Sequence, residues 1–363
     1  MKTLIRFFLA AAVWGAGVPV WAAGPRPVVQ VAFVLDTTGS MSGLIEAAKA
    51  KIWSIANEIA KGKPSPEIRM ALVGYRDRGD AYVTRTTNFS DNLDDTYSDL
   101  IGFKADGGGD SPEHVWKAVQ DAVDALTWSQ DPRAFKVIYL VGDAPAHREY
   151  GDTPPIEKIL EKAVRDGIVI NTIQCGADAA TSEEWRDIAR RAEGTYLAIA
   201  QDGGVAVAAT PYDEEIATLS GRLGETVLGY GAGAEKVNAS RALASGVVAL
   251  SAFSAAADRA TFKMREGYAD GDLLKSIKAG DVSLEAISEK DLPRELTNLT
   301  PAERKAKVAA LEAERKTVEK SLAGLTAQRA RFLADNAKGP KTGFDQELLK
   351  ALKTQAAKKG IAY

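Results

Sequence analysis

Val31-Ala32-Phe33-Val34-Leu35-Asp36-Thr37-Thr38-Gly39-Ser40-Met41-Ser42 runs an apolar segment straight into a turn bearing one carboxylate and several hydroxyls. The apolar run suits a strand buried on both faces, as in a parallel sheet. Asp36 then stands at the strand's carboxyl end, where open α/β sheets place their ligand sites. Asp36, Thr38 and Ser40 put hard oxygen donors at alternate positions of one tight turn. Such a set suits magnesium, calcium or manganese better than zinc or copper, so the stretch reads as half of a divalent-cation site.

Outward from that turn, strand and helix patterns alternate from about Pro27 to Gly231. The alternation predicts an α/β fold, a doubly wound and mostly parallel sheet with helices on both faces, followed by a helical C-terminal region. Leu44, Ile45, Ala48, Ile52, Ile55, Ala56 and Ile59 recur at helical spacing, and strands are expected at 68–75, 82–89, 135–141, 168–174 and 195–199. Two further loops carry carboxylates where strands or turns stop: Asp106-Gly107-Gly108-Gly109-Asp110-Ser111-Pro112-Glu113 and Gly142-Asp143. Pro112 suits a first helical position, with Asp110 or Ser111 as its cap and the helix running to about Leu126.

Beyond Gly231 the composition shifts, and residues 232–299 read as a helical connector region with one Ala-rich helix over 237–262 and a short one over 272–278. Thr300-Pro301-Ala302-Glu303 is a capping box that opens a long charged helix, and residues 300–363 are taken as that helix plus a tail. Val308, Leu311, Arg315, Val318, Leu322, Leu325, Arg329 and Phe332 step by three and four. A coiled coil allowing self-association through residues 300–336 is one reading of that seam. The other is an amphipathic helix folded back on its own domain, with the two arginines snorkelling.

Residues 1–22 read as a cleavable signal peptide: Lys2 and Arg6 precede an apolar stretch, and Val20-Trp21-Ala22 supplies a cleavage site. The expected location is therefore periplasmic or secreted, with a retained anchor as the alternative. Losing Lys2 and Arg6 takes the formal net charge from −3 to −5. With no basic block interleaved with aromatics, nucleic acid is not expected as a partner. The lone Cys175 forms no intramolecular disulfide.

Taken together, Asp36-x-Thr38-x-Ser40, Gly107-Gly108-Gly109-Asp110 and Gly142-Asp143 resemble the metal-ion-dependent adhesion site of a von Willebrand factor type A domain. That resemblance implies metal ligation by Asp36, Thr38, Ser40 and Asp143. Asp110 stands where a threonine is usual. The Gly-Gly-Gly-Asp110-x-Pro-Glu113 form, with Tyr75 to Asp80, Leu140 to Pro145, Asn171 to Gly176 and Thr210 to Asp213, is similar to an exported bacterial branch, also of hemicentin type. Should Asp110 coordinate directly, three carboxylates would surround a doubly charged ion and weaken capture of an acidic ligand. Asp110 is therefore expected to act through water or as a helix cap, with Ser111 as a substitute ligand.

The remaining polar residues are assigned smaller roles. His114 and His147 each fall four places after a metal-loop aspartate and are read as outer neighbours of the site or as exposed. Arg76 to Asp80 is read as a partner contact or as solvated charge pairs. Gly107 to Gly109 lets backbone approach the metal loop. The leading expectation is a non-enzymatic protein-binding module of the bacterial cell envelope, holding a divalent cation, foremost magnesium, whose shell an exposed Asp or Glu of a protein partner completes. A metal-dependent phosphoryl hydrolase and an envelope scaffold assembling through its C-terminal helix are the alternatives.

Overall fold

The computed structural model describes residues 26–109, 111–201, 209–245, 250–267, 271–336 and 344–363. The leader reading of residues 1–22 and the ligand reading of Asp110 both lie outside the described residues. Six strands form one sheet: β1 (Val28–Asp36), β2 (Glu67–Tyr75), β3 (Thr84–Ser90), β4 (Phe135–Gly142), β5 (Ile168–Cys175) and β6 (Tyr196–Ile199). Their order is β3-β2-β1-β4-β5-β6, and all neighbours are parallel except β3, an antiparallel edge on β2. Sheet order reverses direction at β1, so the loops after β1 and β4 open side by side at a topological switch point.

The helices that cover this sheet are α1 (Ser42–Ile59), α2 (Leu93–Gly102), α3 (Val115–Asp124), α4 (Ile156–Arg165) and α5 (Ala179–Arg191). One face packs Val31, Phe33 and Leu35 against Leu44, Ile45, Ile52 and Ile59 of α1 and Leu93 and Leu100 of α2. The other packs Ala32 and Val34 against Val115, Val119 and Val123 of α3, Ile159 of α4 and Trp185 of α5. Alternate residues of β1 thus serve opposite cores, which is why its sequence is apolar throughout.

Downstream come α6 (Asp213–Glu225), α7 (Ala234–Ser245), α8 (Leu250–Glu266), α9 (Leu273–Ala279), α10 (Pro301–Asp335) and α11 (Phe344–Ala357). The segment expected as one helix over 237–262 is therefore two helices, with 246–249 outside the described residues. Ile216 and Leu223 of α6 pack with Val237, Ala257, Ala260, Val318 and Leu322 in a core separate from the two sheet faces. On the sheet itself lies α11: Leu348, Leu352, Ala356 and the following Ile361 join α1 in one core. The tail, helical from Phe344 where its sequence reads as helix from Asp345, thus completes the layer on that face.

The capping box at Thr300 forms as expected, with Thr300 and Glu303 each bonding the other's backbone. Of the two readings of the seam, the helix folded back on its own chain is the one the described residues form: Val318 and Leu322 are buried, and Val308 and Leu311 pack on the Leu228 and Leu273 cluster. Its arginines do not snorkel. Arg315 bonds Asp272 at 2.6 Å, and Arg329 bonds Asp213 at 2.6 Å and Asp258 at 2.7 Å. Among the described residues no helix is long and apolar enough to cross a membrane.

Candidate metal centre

Asp36 ends β1 and is fully buried. Its Oδ1 accepts the Thr38 amide at 2.9 Å and the Thr38 hydroxyl at 2.7 Å, while the Thr38 and Ser40 hydroxyls stand 3.4 Å apart. The turn therefore clusters the three oxygens that its spacing foretold, from buried Asp36 to exposed Ser40. Oδ2 of Asp36 is buried without any hydrogen-bond partner among the described residues. A desolvated carboxylate oxygen left unpaired is costly, and a cation at that oxygen removes the cost.

Asp143 follows β4 immediately and adds its charge to that around Asp36. Its Oδ2 accepts Gln201 Nε2 at 2.5 Å, and its backbone carbonyl accepts the Thr181 hydroxyl at 3.3 Å. Both anchors fix the loop after β4 beside the turn after β1. Gly142 makes this approach feasible: a Cβ there would lie 3.1 Å from Asp36 Oδ2 and would collide with the Tyr75 hydroxyl.

The glycine loop docks on the same turn. Gly39 N donates to Gly107 O at 3.2 Å, and Asp106 N donates to Thr37 O at 3.1 Å. Gly107 and Gly108 have φ of +78° and +76°, and a Cβ on Gly108 would lie 3.0 Å from Thr38 Cβ and 3.2 Å from Glu113 Oε1. Their role as a backbone approach to the metal loop is what the structure shows. The expected cap at Ser111 is not: α3 opens at Val115 with His114 at its N-cap position and no side-chain cap, while the cap reading of Asp110 lies outside the described residues.

Three carboxylates assigned no metal role from sequence add charge around the glycine loop and its neighbours. Glu113 is buried, its Oε2 has no partner among the described residues, and its pKa is pushed up to about 9 by burial and by the charges of Asp36, Asp77, Asp80 and Asp143. Asp80, expected in a solvated pair, accepts the Gly108 amide at 3.2 Å. Asp77 is buried and accepts the Tyr150 hydroxyl at 2.8 Å. The signal available for Glu113 is its place three residues after Asp110, in the Gly-Gly-Gly-Asp110-x-Pro-Glu113 motif.

Asp36 is itself pushed up to about 7, first by burial and then, in the same direction, by Asp143, against the opposing Thr38 bonds. The histidines form a rim. His147 stacks on Tyr150 with centroids 4.4 Å apart and bonds Glu149 at 2.6 Å, whereas buried His114 lies 3.4 Å from Asp152. Arg78 covers the other side of Tyr150 at 3.8 Å. Among the described residues no three His, Cys, Asp or Glu side chains gather as a metal site by themselves; the oxygens beside Asp36 are the Thr38 and Ser40 hydroxyls. Hard oxygens plus a buried unpaired carboxylate fit a hard divalent cation.

A family model described as von Willebrand factor A domain matches residues 30–211. The von Willebrand factor A domain-containing protein 7 of Homo sapiens is 35% identical over 97 residues, 27% of this chain and 10% of that protein. The alpha-protein kinase vwkA of Dictyostelium discoideum is 28% identical over 120 residues, 33% of this chain and 19% of that protein. The chain thus spans no more than a fifth of the length of these two relatives. Among solved structures, proximal thread matrix protein 1 from the mussel byssus, with a zinc-occupied MIDAS motif, is similar at a TM-score of 0.39 and 18% identity, covering 49% of this chain and 43% of that one.

Proposed function

The chain belongs to the von Willebrand factor A domain family, and from that premise we propose that it is a cation-dependent protein-binding module. Asp36, Thr38, Ser40 and Asp143 would hold the ion, with Glu113 facing them and Asp110 in the adjoining loop. The carrying observation is Asp36 Oδ2, buried and unpartnered at a strand end ringed by hydroxyls. When bound, the cation supplies a positive centre that accepts an oxygen from outside the chain. An Asp or Glu of a protein partner is the matching group, and Arg78, Tyr150 and Arg148 on the neighbouring loops would contact that partner.

Magnesium is the cation we favour, because the donors are all hard oxygens. Glu113 sharpens the charge question raised by Asp110. Without a cation, burial and the neighbouring carboxylates push its pKa up to about 9, so Glu113 adds no further negative charge to the open site at neutral pH. A binding role also suits the packing of Asp36, which is wholly buried and tied to Thr38, whereas a phosphotransfer nucleophile needs an open line of attack. We place the protein in the exported bacterial branch and in the cell envelope on the strength of its leader-like residues 1–22 and the Gly-Gly-Gly-Asp110-x-Pro-Glu113 motif.

The test is capture from envelope extract on the immobilised chain, with magnesium or with chelator, beside Asp36→Ala. Magnesium-dependent partners absent from the Asp36→Ala column support the proposal. Partners indifferent to both chelator and substitution refute it.

A further inference from the structure

A cavity of about 740 Å³ opens among α6, α8, α9 and α10, lined by none of the residues of the strand-end turn. That volume is within the range of small-ligand sites. Its floor is apolar: Leu223 and Leu274 are buried and Met264 is half-buried. Beside them Asp272 and Arg315 neutralise each other at 2.6 Å. Lys263 also lines it but is committed to Asp94 at 2.8 Å.

The rim differs in charge. Lys275 and Lys278 stand three apart on α9 and Lys316 and Lys320 four apart on α10, and on the rim, among the described lining residues, Glu312 and Glu319 oppose them. Like charges at those spacings repel along a helix. Lys278, Lys316 and Lys320 make no ion pair or hydrogen bond with the described residues. Arginines of the same region are spent on partners: Arg222 on Glu314, Arg241 on Glu295 and Arg304 on Glu289. A chain of net charge −3 thus collects unspent ammonium groups around one apolar-floored cavity.

We propose that this cavity binds an amphiphilic anion. Its aliphatic chain lies along Leu223, Met264 and Leu274, and its carboxylate or phosphate head meets Lys278, Lys316 and Lys320. Lysine suits the second task because its stem lies on apolar surface while its ammonium reaches outward.

Calorimetric titration of the full chain tests this, using dodecyl phosphate and dodecanoate below their micelle concentrations. Inorganic phosphate and dodecyltrimethylammonium serve as the head without a tail and the tail with reversed charge. We expect saturable one-to-one binding of an anionic amphiphile and, for both comparison compounds, affinity weaker by at least about tenfold. The tighter of the two anionic probes identifies the head as phosphate or carboxylate. Lys316→Glu with Lys320→Glu, both exposed, should weaken binding about tenfold with an unchanged melting curve. Met264→Trp, which fills the floor, should weaken it independently. Equal binding of the cationic amphiphile, no saturable binding of either anion, or indifference to both variants would overturn the proposal.

Discussion

The carboxyl groups of Asp36 and Glu113 are buried within reach of each other's charge, and each retains one oxygen that no donor among the described residues meets. Both folded pKa values lie above their ordinary ones, at about 7 for Asp36 and about 9 for Glu113, chiefly through burial. Their ionisation therefore opposes folding: the contribution to stability is full below about pH 4 and is lost as pH rises through 7 and then 9. For Asp36 the loss amounts to roughly 4 kcal/mol. In chelator the melting temperature should fall between pH 5 and pH 9, and saturating magnesium should flatten that fall by favouring the charged forms. Titrations at pH 6.5 in buffers of different ionisation enthalpy should show proton release on cation binding. Identical melting profiles with and without magnesium would contradict this.

The glycine loop offers a contrast within three residues. Gly107→Ala places a Cβ against Asp80 at a φ of +78°, whereas Gly109 has none of the described residues within 4 Å of its Cβ position. We expect Gly107→Ala to cost about 1–3 kcal/mol and to weaken the magnesium-dependent rise in melting temperature. Gly109→Ala should stay within about 0.5 kcal/mol of the parent. Urea denaturation of the two variants checks both values.

What the sequence made legible was local. The α/β alternation, the oxygen spacing after β1 and the aspartate after β4 each follow from a few neighbouring residues. What it concealed depends on distant partners. The helix α2 was unread because Asp94 sits on its inward face, where Arg259 at 2.6 Å and Lys263 at 2.8 Å neutralise it from α8. Arg315 and Arg329 looked like seam defects until Asp272, Asp213 and Asp258 arrived from other helices. Glu113 and Asp80 read as ordinary loop charges because the convergence of β1, β2 and β4 is not written in any one of them.

The tail's attachment to the sheet rests on Asn171 of β5 and Gln355 of α11, whose buried amides exchange hydrogen bonds of 3.0 and 2.8 Å across 184 residues. Gln355→Ala strands the Asn171 Nδ2, while Oδ1 keeps the Thr195 N–H at 2.8 Å, and should cost about 1–3 kcal/mol in urea denaturation. Replacing both residues with leucine removes both amides, though it takes from Thr195 N–H the Asn171 Oδ1 it meets at 2.8 Å, and should cost less than the two single changes summed. Simple additivity would mean that the amides act independently and that α11 is held by its apolar face alone.

The central claim is that Asp36, Thr38, Ser40 and Asp143 form one cation site, and titration of magnesium into the chelator-treated chain tests it most directly. The account predicts a single saturable site in the parent, abolished in Asp36→Ala and weakened at least about tenfold in Thr38→Ala, with folded circular dichroism spectra throughout. Undiminished magnesium binding in Asp36→Ala, or a parent chain that binds no magnesium, calcium or manganese, would contradict it.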